Sequence, residues 1–188
     1  MRFRSFIIFL SALFASAFAR VRCVNNRDCF KHVVVENMTS SVENMTSRKS
    51  MPLSGVLHDG RVFLIVWASY CRPCVEKISS IPLLQDALKS RGLKTRVVMV
   101  SIDSKKENAD LKKENAAYGD TNFSLSKVLQ LWSDNLSSVM GKVGSRSIPC
   151  AFLLNKQGEC IRAITELVPE KGGWDCEDVV SQIKYFEQ

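Results

Sequence analysis

Hydrophobic and polar positions divide this chain into recognisable elements. Val62–Trp67 is apolar without a break after Asp59-Gly60, as in a strand buried on both faces of a mostly parallel sheet. A turn holding Cys71 and Cys74 follows, then a helical stretch to about Arg91, closed by Gly92 in the C-cap position. Arg96–Ile102 repeats the buried-strand pattern. Ser104–Tyr118 predicts a charged helix with only Leu111 and alanines on its apolar side, a solvated face. Asn122–Gly144 predicts mainly helix around Val128, Leu129, Leu131 and Trp132. Ala151–Leu154 and Glu159–Ile164 flank Asn155-Lys156-Gln157-Gly158 and read as a hairpin. From about Asp175, the positions Cys176, Val179, Val180, Ile183 and Phe186 form one buried stripe of a last helix. This order predicts a three-layer α/β fold, a mixed central sheet flanked by helices.

Order is expected from Leu53 onward. Arg20 to about Pro52 is polar and irregular apart from Val33-Val34-Val35. It holds a short tandem repeat, Glu36-Asn37-Met38-Thr39-Ser40-Ser41-Val42 followed by Glu43-Asn44-Met45-Thr46-Ser47, too few copies for a solenoid and better read as a duplication in a tolerant loop. Asn37 and Asn44 stand in N-x-T sequons, which matter only in a eukaryotic secretory pathway.

The first residues have a different character. Met1–Arg4 carries two arginines, Phe6–Phe18 is almost wholly apolar, and Ala17-Phe18-Ala19 offers small residues where a signal peptidase cuts. The alternative is an uncleaved membrane anchor. Thirteen helical residues reach about 20 Å, short of a ~30 Å hydrocarbon core, which favours cleavage near Ala19. The expected organisation is therefore a signal peptide over 1–19, an N-terminal extension over 20–52 and one domain over 53–188.

Composition narrows the function. The chain has 188 residues, 46% apolar and 24% charged, an ordinary globular balance. No other apolar run approaches the ~18 residues of a membrane span. Removing the two arginines of the leader lowers the formal charge from +7 to +5. That excess is spread out, with no basic block interleaved with aromatics, so no nucleic-acid partner is expected. Seven cysteines stand against two histidines, His32 and His58, with no spacing that completes a Cys/His metal site. Export would carry all seven cysteines into a compartment that permits disulfides.

Cys71-Arg72-Pro73-Cys74 carries the chemistry. Two intervening residues at a helix start bring the sulfurs within disulfide reach. The first cysteine then meets unpaired backbone N–H groups and the positive end of the helix dipole, which favour thiolate over thiol. The second, a turn deeper, is placed to resolve a mixed disulfide. Pro73 removes a donor where a first helical turn needs none. Half of a metal site or a structural disulfide would leave the same four residues, but no second C-x-x-C or C-x-x-H completes a tetrahedron.

Trp67-Ala68-Ser69-Tyr70-Cys71-Arg72-Pro73-Cys74 resembles the signature of the thioredoxin superfamily. Ser147-Ile148-Pro149, followed by the hairpin and Gly158, is similar to that superfamily's cis-proline loop. The leader, the extension and the long stretch between Ile102 and Ser147 look most like its TlpA-like branch, exported reductases of the kind used in cytochrome c maturation. The resemblance spans about Leu53 to Gln188. It implies Cys71 as the exposed nucleophile, Cys74 as the buried resolving thiol and Trp67 packed beside them. It also implies a cis Pro149 against the sulfurs, with the Ile148 backbone pairing to an extended substrate. No cofactor beyond the Cys71–Cys74 disulfide is implied. The partners would be exported client proteins with cysteine pairs and a membrane thiol electron donor, the location the bacterial periplasm.

The sequence departs from that pattern in three places. The superfamily's helix proline, five residues after the second cysteine, is Ser79 here. The nearest proline is Pro82, so any kink moves by about one turn. The positions where relatives bury a carboxylate behind the resolving cysteine hold Ile65 and Lys77, while Glu76 faces another way. Arg72 places a cation beside Cys71; it either favours the thiolate and a more oxidising pair or is an ordinary solvated residue.

Five cysteines remain. Across an even-length turn Cys150 and Cys160 are expected on opposite sheet faces and not to pair. Cys160 with Cys176, or two free core thiols, are equal alternatives, and Cys23 with Cys29 could clip the extension. Cys150, next to Pro149, is expected near the redox pair yet buried and unreactive. Beside the reductant stand three other readings: a DsbA-type oxidant, a copper-binding chaperone with the cysteine pair as soft ligands, and a redox-silent binding module.

Overall fold

Successive residues of a strand face opposite ways, so an apolar run must be covered twice. Strand β3 (Val62–Trp67) is covered in this manner: Val62, Leu64 and Val66 enter one buried cluster, and Phe63, Ile65 and Trp67 another. The computed structural model describes residues 29–37, 50–57, 60–104, 128–142, 145, 147–164 and 172–187.

β3 is an interior strand of a seven-stranded mixed sheet. Its other strands are β1 (Val34–Asn37), β2 (Met51–Pro52), β4 (Arg96–Ser101), β5 (Leu129–Trp132), β6 (Cys150–Leu154) and β7 (Cys160–Ile164), in the order β2-β1-β5-β4-β3-β6-β7. β3, β4 and β5 run parallel, with Val62 opposite Arg96 and Val98 opposite Leu129. β6 pairs antiparallel with β3, β7 with β6, β1 with β5 and β2 with β1.

Helices α1 (Arg72–Lys77), α2 (Ser80–Ser90) and α4 (Glu177–Glu187) cover one sheet face, burying Ile81, Leu84, Leu88, Val179, Val180 and Ile183. The stripe expected on the last helix is the one buried, with Cys176 and Phe186 packed at its margin. Helix α3 (Leu136–Lys142) and two 3-10 turns, Cys29–His32 and Leu53–Val56, cover the other face. This is the α/β thioredoxin-like arrangement, a mixed central sheet flanked by helices. Among the described residues no helix is long and apolar enough to cross a membrane.

Two expectations need correction. The stretch before Leu53 is not wholly irregular: it supplies β1 and β2, and Phe30, Val33 and Val35 are core residues. The Phe30 ring packs 4.9 Å from that of Phe152, apolar area that fixes the first 3-10 turn on the sheet. Leu129–Trp132 is a strand, not helix; helix begins only at Leu136. Four residues preceded by apolar Val128 fit either period, and pairing with β4 and β1 decides for the strand. The charged helix expected from Ser104 lies, beyond that residue, outside the described residues. So do the leader, most of the tandem repeat and Cys23 of the proposed Cys23–Cys29 clip.

One irregularity governs the outer cysteines. The register shifts between Leu153 and Leu154, so Leu154 faces Cys160 while Leu153 faces Arg162. The extra residue turns Cys160 onto the face of Phe152 and Leu154, the face Cys150 also occupies. The expected opposite placement of these two cysteines is therefore wrong, although they do not pair: Cys150 is free and Cys160 lies in a disulfide. Cys176 is free and packs at the margin of the other face, so the Cys160–Cys176 bond does not form.

Candidate functional site

Three parallel strands end at one edge of the sheet, and the chain turns there into α1. Carboxyl ends of parallel strands are where loops are free to carry chemistry. Trp67 closes β3, the Cys71 N–H donates to the Ala68 carbonyl at 3.1 Å, and α1 starts at Arg72. Cys71 is the N-cap of α1 in extended conformation, and its Sγ accepts the Cys74 N–H at 3.3 Å. The same N–H also donates to the Cys71 carbonyl at 2.9 Å, so this first-turn donor is shared between oxygen and sulfur.

Cys71 and Cys74 are joined in a disulfide, S–S 2.10 Å. Their exposures are unequal: 8% for Cys71 and 2% for Cys74. Trp67 belongs to the same buried cluster as both sulfurs. Pro73 lies in the first turn of α1 and is exposed, as is Tyr70, at 66%. The Ile148-Pro149 peptide is cis. The first pair of β6 with β3, Cys150 opposite Val66, sets Pro149 beside the end of β3 that leads to the cysteines. Ile148 is half-buried and packs against the clusters on both faces.

The charged residues sort differently from the sequence pattern. Arg72 is exposed, and its Nε donates to Glu76 Oε1 at 2.9 Å one turn along α1. The guanidinium is thus paired along the helix with a carboxylate, and both side chains stand in solvent. Ile65 is core, and the Lys77 ammonium donates to the Gly172 carbonyl at 2.9 Å, so neither supplies a carboxylate behind Cys74. The helix breaks at Ile78-Ser79, four residues before Pro82, whose ring excludes the carbonyl at that distance. Ser80 bridges the break, donating to the Lys77 carbonyl at 2.7 Å and accepting the Trp174 N–H at 2.7 Å.

A buried carboxylate does stand at this edge, on a residue the sequence pattern did not single out. Asp103, 1% exposed, follows β4 and accepts both the N–H and the hydroxyl of Ser69 on one oxygen, each at 2.8 Å. A signal for it exists in the sequence: Ser101 and Asp103 are polar residues closing an apolar parallel strand, at the end where sites form.

Cys150, despite its neighbour Pro149, points to the sheet face away from the disulfide. Burial pushes its thiol up to about 11, and a hydrogen bond with Ser145 only partly offsets that. It is buried as expected, but not beside the pair. Among the described residues no three His, Cys, Asp or Glu side chains gather as a metal site.

No protein-family model matches the chain, and no curated protein does. Solved structures do. A candidate thiol:disulfide interchange protein DsbE from Chlorobium tepidum superposes with TM-score 0.54 at 21% identity, over 82% of this chain and 92% of that one. The exposed lipoprotein thioredoxin of Streptococcus pneumoniae gives 0.51 at 21%, over 81% and 98%. A thiol:disulfide interchange protein from a Bacteroides species gives 0.51 at 17%, over 84% and 89%. The strand order, the cysteine pair at a helix mouth, the cis-proline and these likenesses together show a thioredoxin-like fold.

Proposed function

We propose that this protein is an exported thiol–disulfide oxidoreductase that reduces disulfides of other exported proteins, in the manner of the TlpA-like reductases of cytochrome c maturation. The observation that carries the reading is the Cys71–Cys74 disulfide across the mouth of α1, its first cysteine more exposed than its second and accepting a first-turn N–H on sulfur. The names of the fold's neighbours, thiol:disulfide interchange proteins and a thioredoxin, favour the same reading.

Exchange starts from the reduced pair. The Cys71 thiolate attacks one sulfur of a client disulfide; a bond forms between them, and the client's other sulfur leaves as a thiolate that takes a proton from water. Cys74 then gives up its proton and attacks Cys71 Sγ. The Cys71–Cys74 bond forms, the second client thiol departs, and two electrons have passed to the client. A membrane dithiol restores the reduced pair by the reverse sequence. Tyr70 and the Ile148 backbone would flank an extended client segment, and cleavage near Ala19 would release the protein into the periplasm. The Arg72–Glu76 pair supports a reductant over a DsbA-type oxidant, because the cation is already engaged.

Insulin reduction in the presence of a dithiol tests this directly. The mature chain should accelerate precipitation of the insulin B chain, and Cys71→Ser should not. Faster oxidation of a reduced, unfolded client than reduction of insulin would make it an oxidant. Tight Cu(I) binding without disulfide turnover would make it a copper chaperone.

A further inference from the structure

A buried carboxylate given over to one loop needs an explanation, because burying charge is unfavourable unless hydrogen bonds replace the lost water. Asp103 receives three such bonds. Oδ1 takes the Ser69 N–H and the Ser69 hydroxyl, each at 2.8 Å, and Oδ2 takes the Ser101 hydroxyl at 2.5 Å. The Asp103 N–H donates back to Ser101 Oγ at 3.1 Å, and the Asp103 carbonyl accepts the Trp132 indole N–H at 2.6 Å. The residue therefore joins the ends of β4 and β5 to the turn that follows β3. Two of its three carboxylate bonds go to Ser69, two residues before Cys71.

We propose that Asp103 is the positioning residue of the redox turn: it anchors Ser69, and through it sets where Cys71 Sγ stands over the first N–H groups of α1. The inference rests on the thiol–disulfide exchange proposed above. The backbone bonds of the rest of the turn gather at Cys71, whose N–H donates to the Ala68 carbonyl and whose carbonyl accepts the Cys74 and Val75 N–H groups at 2.9 and 3.1 Å, while Ser69 ahead of it is held by Asp103 and Tyr70 between them is exposed. Fully satisfied buried polar networks rigidify what they hold. The bond from Cys74 N–H to Cys71 Sγ depends on that placement, and it favours the thiolate of the reduced pair. Releasing Ser69 should weaken it, destabilise the reduced form relative to the disulfide and slow attack on a client.

The test compares Asp103→Ala, Asp103→Asn and Ser69→Ala in the mature chain, by the equilibrium of the cysteine pair with glutathione, by kcat/KM for insulin reduction and by urea unfolding. Asp103→Ala should shift the glutathione equilibrium toward the protein disulfide by threefold or more and lower kcat/KM about tenfold. Asp103→Asn, which keeps an acceptor for Ser69, should stay within about twofold of wild type on both readouts. Ser69→Ala, which removes only the hydroxyl bond, should shift both in the same direction by about twofold, and it keeps the question measurable should Asp103→Ala fail to fold. Variants that lose stability while equilibrium and kcat/KM stay at the wild-type values would overturn the inference and leave Asp103 a scaffold residue. Equal effects of Asn and Ala would also overturn it, since charge and not anchorage would then be at work. A wild-type protein that does not exchange with glutathione would instead remove the underlying function.

Discussion

Cys71 and Cys150 sit at the same end of the sheet and differ in almost everything chemical. Val66 pairs with Cys150 across β3 and β6, and the chain reaches Cys71 five residues later. Cys71 caps a helix, meets a backbone N–H and keeps 8% of its surface in solvent. Cys150 is fully buried among Phe, Val and Leu side chains of the opposite face, and its thiol is held up to about 11. Reactivity is thus set by which face a sulfur takes and which polar groups meet it there, not by nearness to the cis-proline.

That contrast can be broken at either end. The largest effect should come from Cys71→Ser, which removes the attacking sulfur and should lower insulin reduction by at least about a thousandfold, while Cys150→Ala leaves it within about twofold. Cys150 should instead show itself in stability at high pH. Its thiol titrates at about 11 folded, against an ordinary value of 9.0. Below pH 9 both states hold the proton. Between pH 9 and 11 the unfolded chain loses it first, so stability falls as pH rises and the loss is complete above 11. Over that window the thiol should cost roughly 2–3 kcal/mol, read as the difference in urea unfolding between wild type and Cys150→Ala. The smallest effect belongs to the exposed pair beside Cys71. Glu76→Gln frees Arg72 and should move the glutathione equilibrium of the pair toward the dithiol by no more than about threefold. A larger shift would mean that the guanidinium reaches the sulfur when released.

Local pattern made much of this legible. A six-residue apolar run can hardly be other than a doubly buried strand, and the four residues from Cys71 to Cys74 after it determine the helix mouth. The break at Ile78-Ser79 follows from Pro82, and the stripe on α4 from its period. The misses were decided by partners far along the chain. Leu129–Trp132 is a strand because β4 and β1 accept it as one. The face of Cys160 turns on one extra residue in β7, which alternation alone cannot foresee. Asp103 matters through Ser69, 34 residues earlier, a pairing that only the parallel alignment of β3 and β4 creates.

A glutathione titration of the mature protein, with free thiols trapped and located by mass, bears most directly on the central claim. One two-electron transition at Cys71 and Cys74 is expected, with a potential near the roughly −270 mV of thioredoxin and no participation of Cys150. A transition near about −120 mV would contradict the reductant, and a Cys71–Cys74 bond that never opens across the titration would contradict the exchange itself.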